Sequence, residues 1–288
     1  GDVYKRQNKV CKMKRVIGIL FLFIGIGCFF YPNIATHIQS EKTNNYIKYY
    51  EKSLVHKEKD GAYKKAVAYN HRIYKEHQKG FKDPWSYEQN PYHVQGWNRK
   101  DFGYISIPEM DLKLPLYLGA SDSHLAKGAA VLGQTSLPVG GENTNSVIAG
   151  HRGYSGIPYF REIGRLKTGD KVVIRNPWEK LTYLVEQIQI IDPNDIDKVK
   201  IQPGRDMVTL ITCHPYRGHG KYRYVVYCVR SNTKMKMKKN EMSEKSASRE
   251  IEEERRFRQL CGAALIVMCT LEFVSIFRRR KGARKYEQ

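Results

Sequence analysis

A cysteine attacks only as its thiolate, so a catalytic one needs partial exposure, a positive neighbour and a proton donor for the leaving group. Cys213 meets the conditions that a sequence can show. It closes the β-rich run Val208-Thr209-Leu210-Ile211-Thr212 and opens a loop containing Pro215, Gly218 and Gly220. The chain then returns through Tyr222-Arg223-Tyr224-Val225-Val226-Tyr227, so a guanidinium begins the next strand. Adjacent strands thereby bring a thiol and a permanent cation to the same end, which supplies the positive neighbour that a reactive thiolate needs. On residue types alone, an inert buried thiol remains the competing reading.

Other chemistry at this loop finds less support. Cys213, His214 and His219 are not completed to a zinc set by a further pair of ligands. The acidic run Asp192, Asn194, Asp195 and Asp197 lacks the glycine and terminal glutamate of an EF-hand loop and reads as a turn before the Cys213 strand. No metal and no cofactor is expected. Successive strand side chains alternate faces, and Arg223 and Cys228 are an odd number of residues apart. If Arg223 faces Cys213, Cys228 faces away, and the two thiols do not pair.

Several segments together carry a family resemblance. Thr209-Leu210-Ile211-Thr212-Cys213 is similar to the sortase nucleophile motif T-L-x-T-C, and Arg223 stands near the place of the essential sortase arginine. Upstream, Asn145-Ser146-Val147-Ile148-Ala149-Gly150-His151-Arg152 resembles the strand and turn that present the sortase catalytic histidine. Asp83-Pro84-Trp85 is similar to the lid motif of class C, pilus-assembling sortases. The likeness implies a cysteine transpeptidase in which Cys213 attacks the Thr-Gly bond of an LPxTG-like sorting signal. It makes His151 the proton donor and Arg223 the oxyanion or backbone anchor, with Thr212 either helping to position substrate or serving packing alone. Asp83 and Trp85 would lie as a lid against Arg223 and Cys213. The implied acceptor is a pilin lysine amine in the polymerising class, or a peptidoglycan-precursor amine in the cell-wall-anchoring class. A binding module on a sortase-like barrel without turnover is the rival from another class. Arg217 competes with Arg223, and His214 and His219 with His151, because all three lie in the loop after Cys213.

The elements that must position these residues follow from the pattern of the chain. Phe102 to Ile107, Leu112 to Leu118, Ser146 to Ala149, Lys171 to Ile174, Leu181 to Ile191, Met207 to Thr212 and Tyr222 to Val229 are short β-rich runs bounded by Gly, Pro, Asn or Asp. Strands this numerous without alternating helices favour a closed barrel or sandwich. The resemblance implies a mainly β fold, a closed antiparallel sortase barrel over residues 99–230. Residues 36–80 repeat Tyr46, Tyr50, Leu54, Ala62, Ala66 and Tyr69 at roughly helical spacing and read as one or two helices. Residues 81–98, rich in Pro and Asn, read as a loop, and the charged stretch 231–259 as a solvated tether.

Net charge is +21, from 50 Lys and Arg against 29 Asp and Glu. Much of the surplus clusters beside two apolar runs, at Lys12, Lys14 and Arg15 and again at residues 278–288, a pattern of membrane flanks rather than of nucleic-acid binding. The runs, 16–35 and 260–277, are expected to span the membrane, with both termini cytoplasmic and the catalytic domain outside. A cleaved signal peptide is the alternative for the first. Glu272 weakens the second, since a carboxylate at that depth costs roughly 2.5–3.5 kcal/mol. Met13 is a plausible initiator, and the residues before it are assigned no function.

Overall fold

The computed structural model describes residues 2–54, 59, 61–81, 101–216, 220–231 and 244–285. The chain divides into two compact units, Thr36–Arg249 and a second formed by Gly1–Ala35 with Glu250–Gln288.

Eight strands form the larger unit. They are β1 (Asp101–Ile107), β2 (Leu112–Leu118), β3 (Ala129–Val131), β4 (Thr144–Ala149), β5 (Lys171–Arg175), β6 (Lys180–Ile191), β7 (Asp206–His214) and β8 (Tyr222–Arg230). They close into a barrel in the order β1-β2-β3-β4-β7-β8-β6-β5. Pairing is antiparallel except for β2 with β3 and β4 with β7, which run parallel. The expected antiparallel barrel is therefore present, with two parallel seams. Residue alternation explains the closure. Alternate residues point inward, as Val208 and Leu210 do on β7 or Leu181, Tyr183 and Val185 on β6, with the parity switching at bulges in β1 and β6, into one core drawn from all eight strands. Each such side chain contributes about 1.5–3 kcal/mol on burial.

A second apolar cluster covers the opposite face of β3, β4, β7 and β8. It includes Val147, Ala149, Ile211 and Val225 under Phe81, Leu125, Leu132 and Val199. Cys213 and Arg223 share the parity of Ile211 and Val225, so they belong to this outer face. Cys228, on the other parity, is enclosed in the barrel, where burial pushes its thiol up and leaves it inert.

Two helices lead into the barrel, α1 (Asp2–Ser53) and α2 (Gly61–Lys75). Within the larger unit, Tyr50 Oη at the end of α1 donates to the Phe102 carbonyl at 2.9 Å. The buried stripe of α2, Ala62, Ala66, Asn70 and Ile73, has helical spacing. Asn70 grips one residue of the loop after β3, donating to the Leu137 carbonyl and accepting from its N–H. The acidic run after β6 is a turn. Asp192 caps the Asn194 N–H, while Asp195 and Asp197 pair with Lys198 and Lys200.

The smaller unit holds the start of α1 and most of α4 (Glu244–Lys285). Gly262 of α4 admits the Phe29 ring; a Cβ there would stand 2.9 Å from it. Two spans are expected from the sequence, but among the described residues one helix, Val16–Ser53, is long and apolar enough to cross a membrane. The run 260–277 does lie in a continuous helix, but Glu272 interrupts it and several side chains toward its end lie outside the described residues. The proposed lid residues Asp83 and Trp85, and the alternative loop residues Arg217 and His219, also lie outside them.

Candidate active site

The site is assembled where β4, β7 and β8 end together. Strand β4 lies parallel to β7 with Ala149 opposite Ile211, and the Gly150 N–H extends the ladder by donating to the Ile211 carbonyl at 3.2 Å. Two residues further along each chain stand His151 and Cys213, which places them at the same level of the sheet. Antiparallel β8 pairs Cys213 directly with Arg223. Directly opposed residues of an antiparallel pair project from the same face. The thiol and the guanidinium therefore share the outer face.

Gly220 shows how close they are. An added Cβ at this position would lie 3.1 Å from Cys213 Sγ and 3.3 Å from Arg223 Nη1. Its φ of +72° also belongs to the left-handed region that glycine occupies without penalty. Arg223 is 5% exposed, and its Nη1 donates to the Gly220 carbonyl at 2.6 Å and to the Tyr222 carbonyl at 3.3 Å. The arginine thus fixes Gly220 beside the thiol. Cys213 itself is partly exposed and not in a disulfide.

His151 follows a turn that two neighbours shape. Gly150 lies against Phe160, whose ring would be 2.8 Å from any Cβ there, so only glycine passes. The Phe160 N–H donates to the His151 carbonyl at 2.9 Å. The imidazole stacks on Tyr154 with centroids 4.7 Å apart and planes 16° from parallel, and Tyr159 meets it edge-on at 6.2 Å. Burial among these rings lowers the His151 pKa, and the charge of Asp122 offsets part of that. A neutral imidazole beside a thiol can take its proton and later return it to a leaving amine.

Thr212 has a different place from the one its position beside Cys213 suggests. It is 0% exposed, and its hydroxyl donates to the Gly150 carbonyl at 2.7 Å. Its side chain fastens the His151 turn to β7 from within. His214 is also turned from the outer face. It lies against Tyr224 and the Arg152 guanidinium, and its pKa is pushed down to about 4 by burial and by the Arg152 charge. Sequence reasoning gave no role of their own to Arg152, Tyr154 and Gly220. Arg152 adjoins the histidine and Gly220 punctuates the loop, but only the pairing of β4, β7 and β8 brings them to the thiol.

Comparisons with known proteins identify the family and the fold. A family model described as the sortase domain matches residues 105–231. Sortase D of Bacillus subtilis (strain 168) is 29% identical over 127 residues, covering 43% of this chain and 61% of that protein. This chain thus spans about three fifths of the length of that relative. Among solved structures, sortase C1 of GBS pilus island 1 superposes with a TM-score of 0.60 at 28% identity, covering 65% of this chain and 98% of that one. Sortase C from Clostridium perfringens SM101 gives 0.54 at 33% identity, over 66% and 99%.

Proposed function

The chain belongs to the sortase family of cysteine transpeptidases, and we propose that it is a membrane-anchored class C enzyme that joins pilins through Cys213, His151 and Arg223. The observation that carries the assignment of residues is the direct pairing of Cys213 with Arg223 across β7 and β8, level with His151 at the end of β4. The similar solved proteins are titled sortase C or named for a pilus island, which supports the pilin reading.

In this mechanism Cys213 gives its proton to His151, and the thiolate attacks the carbonyl carbon of threonine in an LPxTG-like signal. Arg223 donates to the oxygen as it gains charge. The C–N bond to glycine breaks, the departing amine takes the proton from His151, and a thioester to Cys213 remains. A lysine amine of the next pilin attacks that thioester. His151 accepts the amine's proton, an isopeptide bond forms and the Cys213 thiolate leaves. Asp83 and Trp85 act as a lid that covers the thiol until substrate displaces it.

The apolar helix Val16–Ser53 supports anchoring in the membrane. We assign both termini to the cytoplasm and the barrel to the outside, on the basic clusters flanking residues 16–35 and 260–277. An impermeant thiol reagent on intact cells should label a cysteine placed near Asn240 and spare one near Gln288; the reverse would refute this topology. The function is tested by giving the full-length protein in detergent an LPxTG peptide with two competing acceptors, a lysine-bearing pilin and a peptidoglycan-precursor amine. Transfer to the pilin lysine is expected. Exclusive transfer to the precursor amine would make this an anchoring enzyme, and absence of cleavage would leave a barrel without turnover.

A further inference from the structure

A second buried guanidinium stands behind the thiol, on the face of the β7–β8 hairpin away from Arg223. Arg152 is 4% exposed and follows His151 directly in the chain. Its Nη1 donates to the Cys213 carbonyl at 3.1 Å and lies 2.7 Å from His214 Nδ1. Its guanidinium carbon sits 5.2 Å from the centre of the Tyr224 ring, on the inner parity of β8. The residue after the histidine is thereby bound to the nucleophile's own peptide and to the residue after it, across 61 positions of sequence.

The chemistry of the contact fixes a protonation state. Guanidinium nitrogens only donate, so His214 Nδ1 must accept, which requires a neutral imidazole with its proton on Nε2. Burial and the Arg152 charge both favour that neutral form. A charged donor on the Cys213 carbonyl restrains the peptide plane from which the thiol projects. A buried cation bonded to the peptide that bears the thiol also favours its ionised form, because the charge is screened less than at a surface. Among the described residues, the charged and titratable groups around Cys213 include Arg223 on β8, His214 beside it on β7, and His151 and Arg152 on the turn after β4.

We propose that Arg152 is a positioning residue for the transacylation, fastening the His151 turn to the Cys213 strand end with His214 as its acceptor, and favouring the Cys213 thiolate from behind. This rests on the reading of Cys213 as nucleophile and His151 as proton carrier. Neither role is needed for the test, which follows alkylation of Cys213 by iodoacetamide in the full-length protein in detergent. The modified Cys213 peptide is quantified by mass spectrometry from mildly acid to mildly alkaline pH, alongside thioacylation by an LPxTG peptide. Arg152→Gln should move the alkylation profile upward by about one pH unit, a tenfold slower reaction on its acid limb. His214→Leu should shift it the same way by a smaller amount. His214→Asn offers an acceptor near the position of Nδ1 and should restore the wild-type profile. Arg152→Lys keeps the charge but cannot serve two acceptors as a planar fork does, so it should keep the profile while lowering kcat for peptide cleavage more than it changes KM.

A wild-type alkylation profile in folded Arg152→Gln and His214→Leu would overturn the proposal. If Arg152→Gln does not fold, the contrast between His214→Leu and His214→Asn decides alone, and equal profiles in those two refute it. Shifted profiles in a protein that forms no peptide adduct would uphold the role of Arg152 while refuting the transpeptidase reading.

Discussion

Replacing Gly220 by alanine tests the geometry of the site with a single carbon. Two costs can be separated. The first is backbone strain, since φ at Gly220 is +72° and an L-residue in the left-handed region loses about 1–2 kcal/mol. For a domain of this size that lowers the melting temperature by roughly 2–8 °C. The second is intrusion, because the new methyl would sit 3.1 Å from Cys213 Sγ and 3.3 Å from Arg223 Nη1, closer than van der Waals contact to the sulfur. The thiol must move by several tenths of an ångström, or the loop held by Arg223 must shift. Misplacement of about 1 Å can cost 10²-fold, so we expect thioacylation by an LPxTG peptide to slow on the order of tenfold. Gly169→Ala is the control. Gly169 has φ of +96° with nothing within 4 Å of its added Cβ, so it bears strain of the same kind without the intrusion. Thermal melts and single-turnover thioacylation of both variants should show similar losses of stability and loss of rate in Gly220→Ala alone. A wild-type rate in Gly220→Ala, or an equal slowing in Gly169→Ala, would refute the placement of Cys213 and Arg223 around this glycine.

Arg223→Lys keeps a charge but loses the planar fork, and kcat/KM for peptide cleavage should fall on the order of 10²-fold or more while Arg217→Ala stays near wild type; equal losses would show that Arg217 is the working arginine. Stability should decline as pH falls, because the His151 pKa is lowered and His214 lies at about 4, both below the ordinary histidine value. In that window the unfolded chain binds protons that the folded one refuses, so stability is intact above about pH 6.5 and lost between there and about pH 4. Urea midpoints across this range should flatten in His214→Asn, and an unchanged slope would contradict the burial of His214. Asp83→Ala combined with Trp85→Ala should speed alkylation of Cys213 by a small reagent, whereas an unchanged rate would remove these residues from any gating role.

Much of the barrel was legible because its strands are runs of Val, Ile, Leu and Tyr cut by turn residues. The strand β3 escaped because Ala129-Ala130-Val131 is short and carries one β-branched residue; its place is set by pairing with β2 and β4. The Cys213–Arg223 end was readable since a hairpin joins neighbours in sequence. The relation of His151 to Cys213 was not, because it depends on a parallel pairing between strands some sixty residues apart, and only the family resemblance supplied it. Thr212 shows the limit of proximity in sequence. Adjacent residues on a strand face opposite ways, so the residue before the nucleophile reaches Gly150 instead of the open face. The second membrane span was read from apolar composition, to which a single carboxylate, Glu272, is the exception.

The central claim is that Cys213 is the acyl carrier. Full-length protein and its Cys213→Ala variant should be incubated with an LPxTG peptide without an acceptor amine, and the intact mass and the modified peptide determined. The account predicts a thioester of the peptide's threonyl fragment on Cys213 in the wild type and no adduct in the variant. An adduct that persists in Cys213→Ala, or a wild-type adduct on any other thiol, would contradict it.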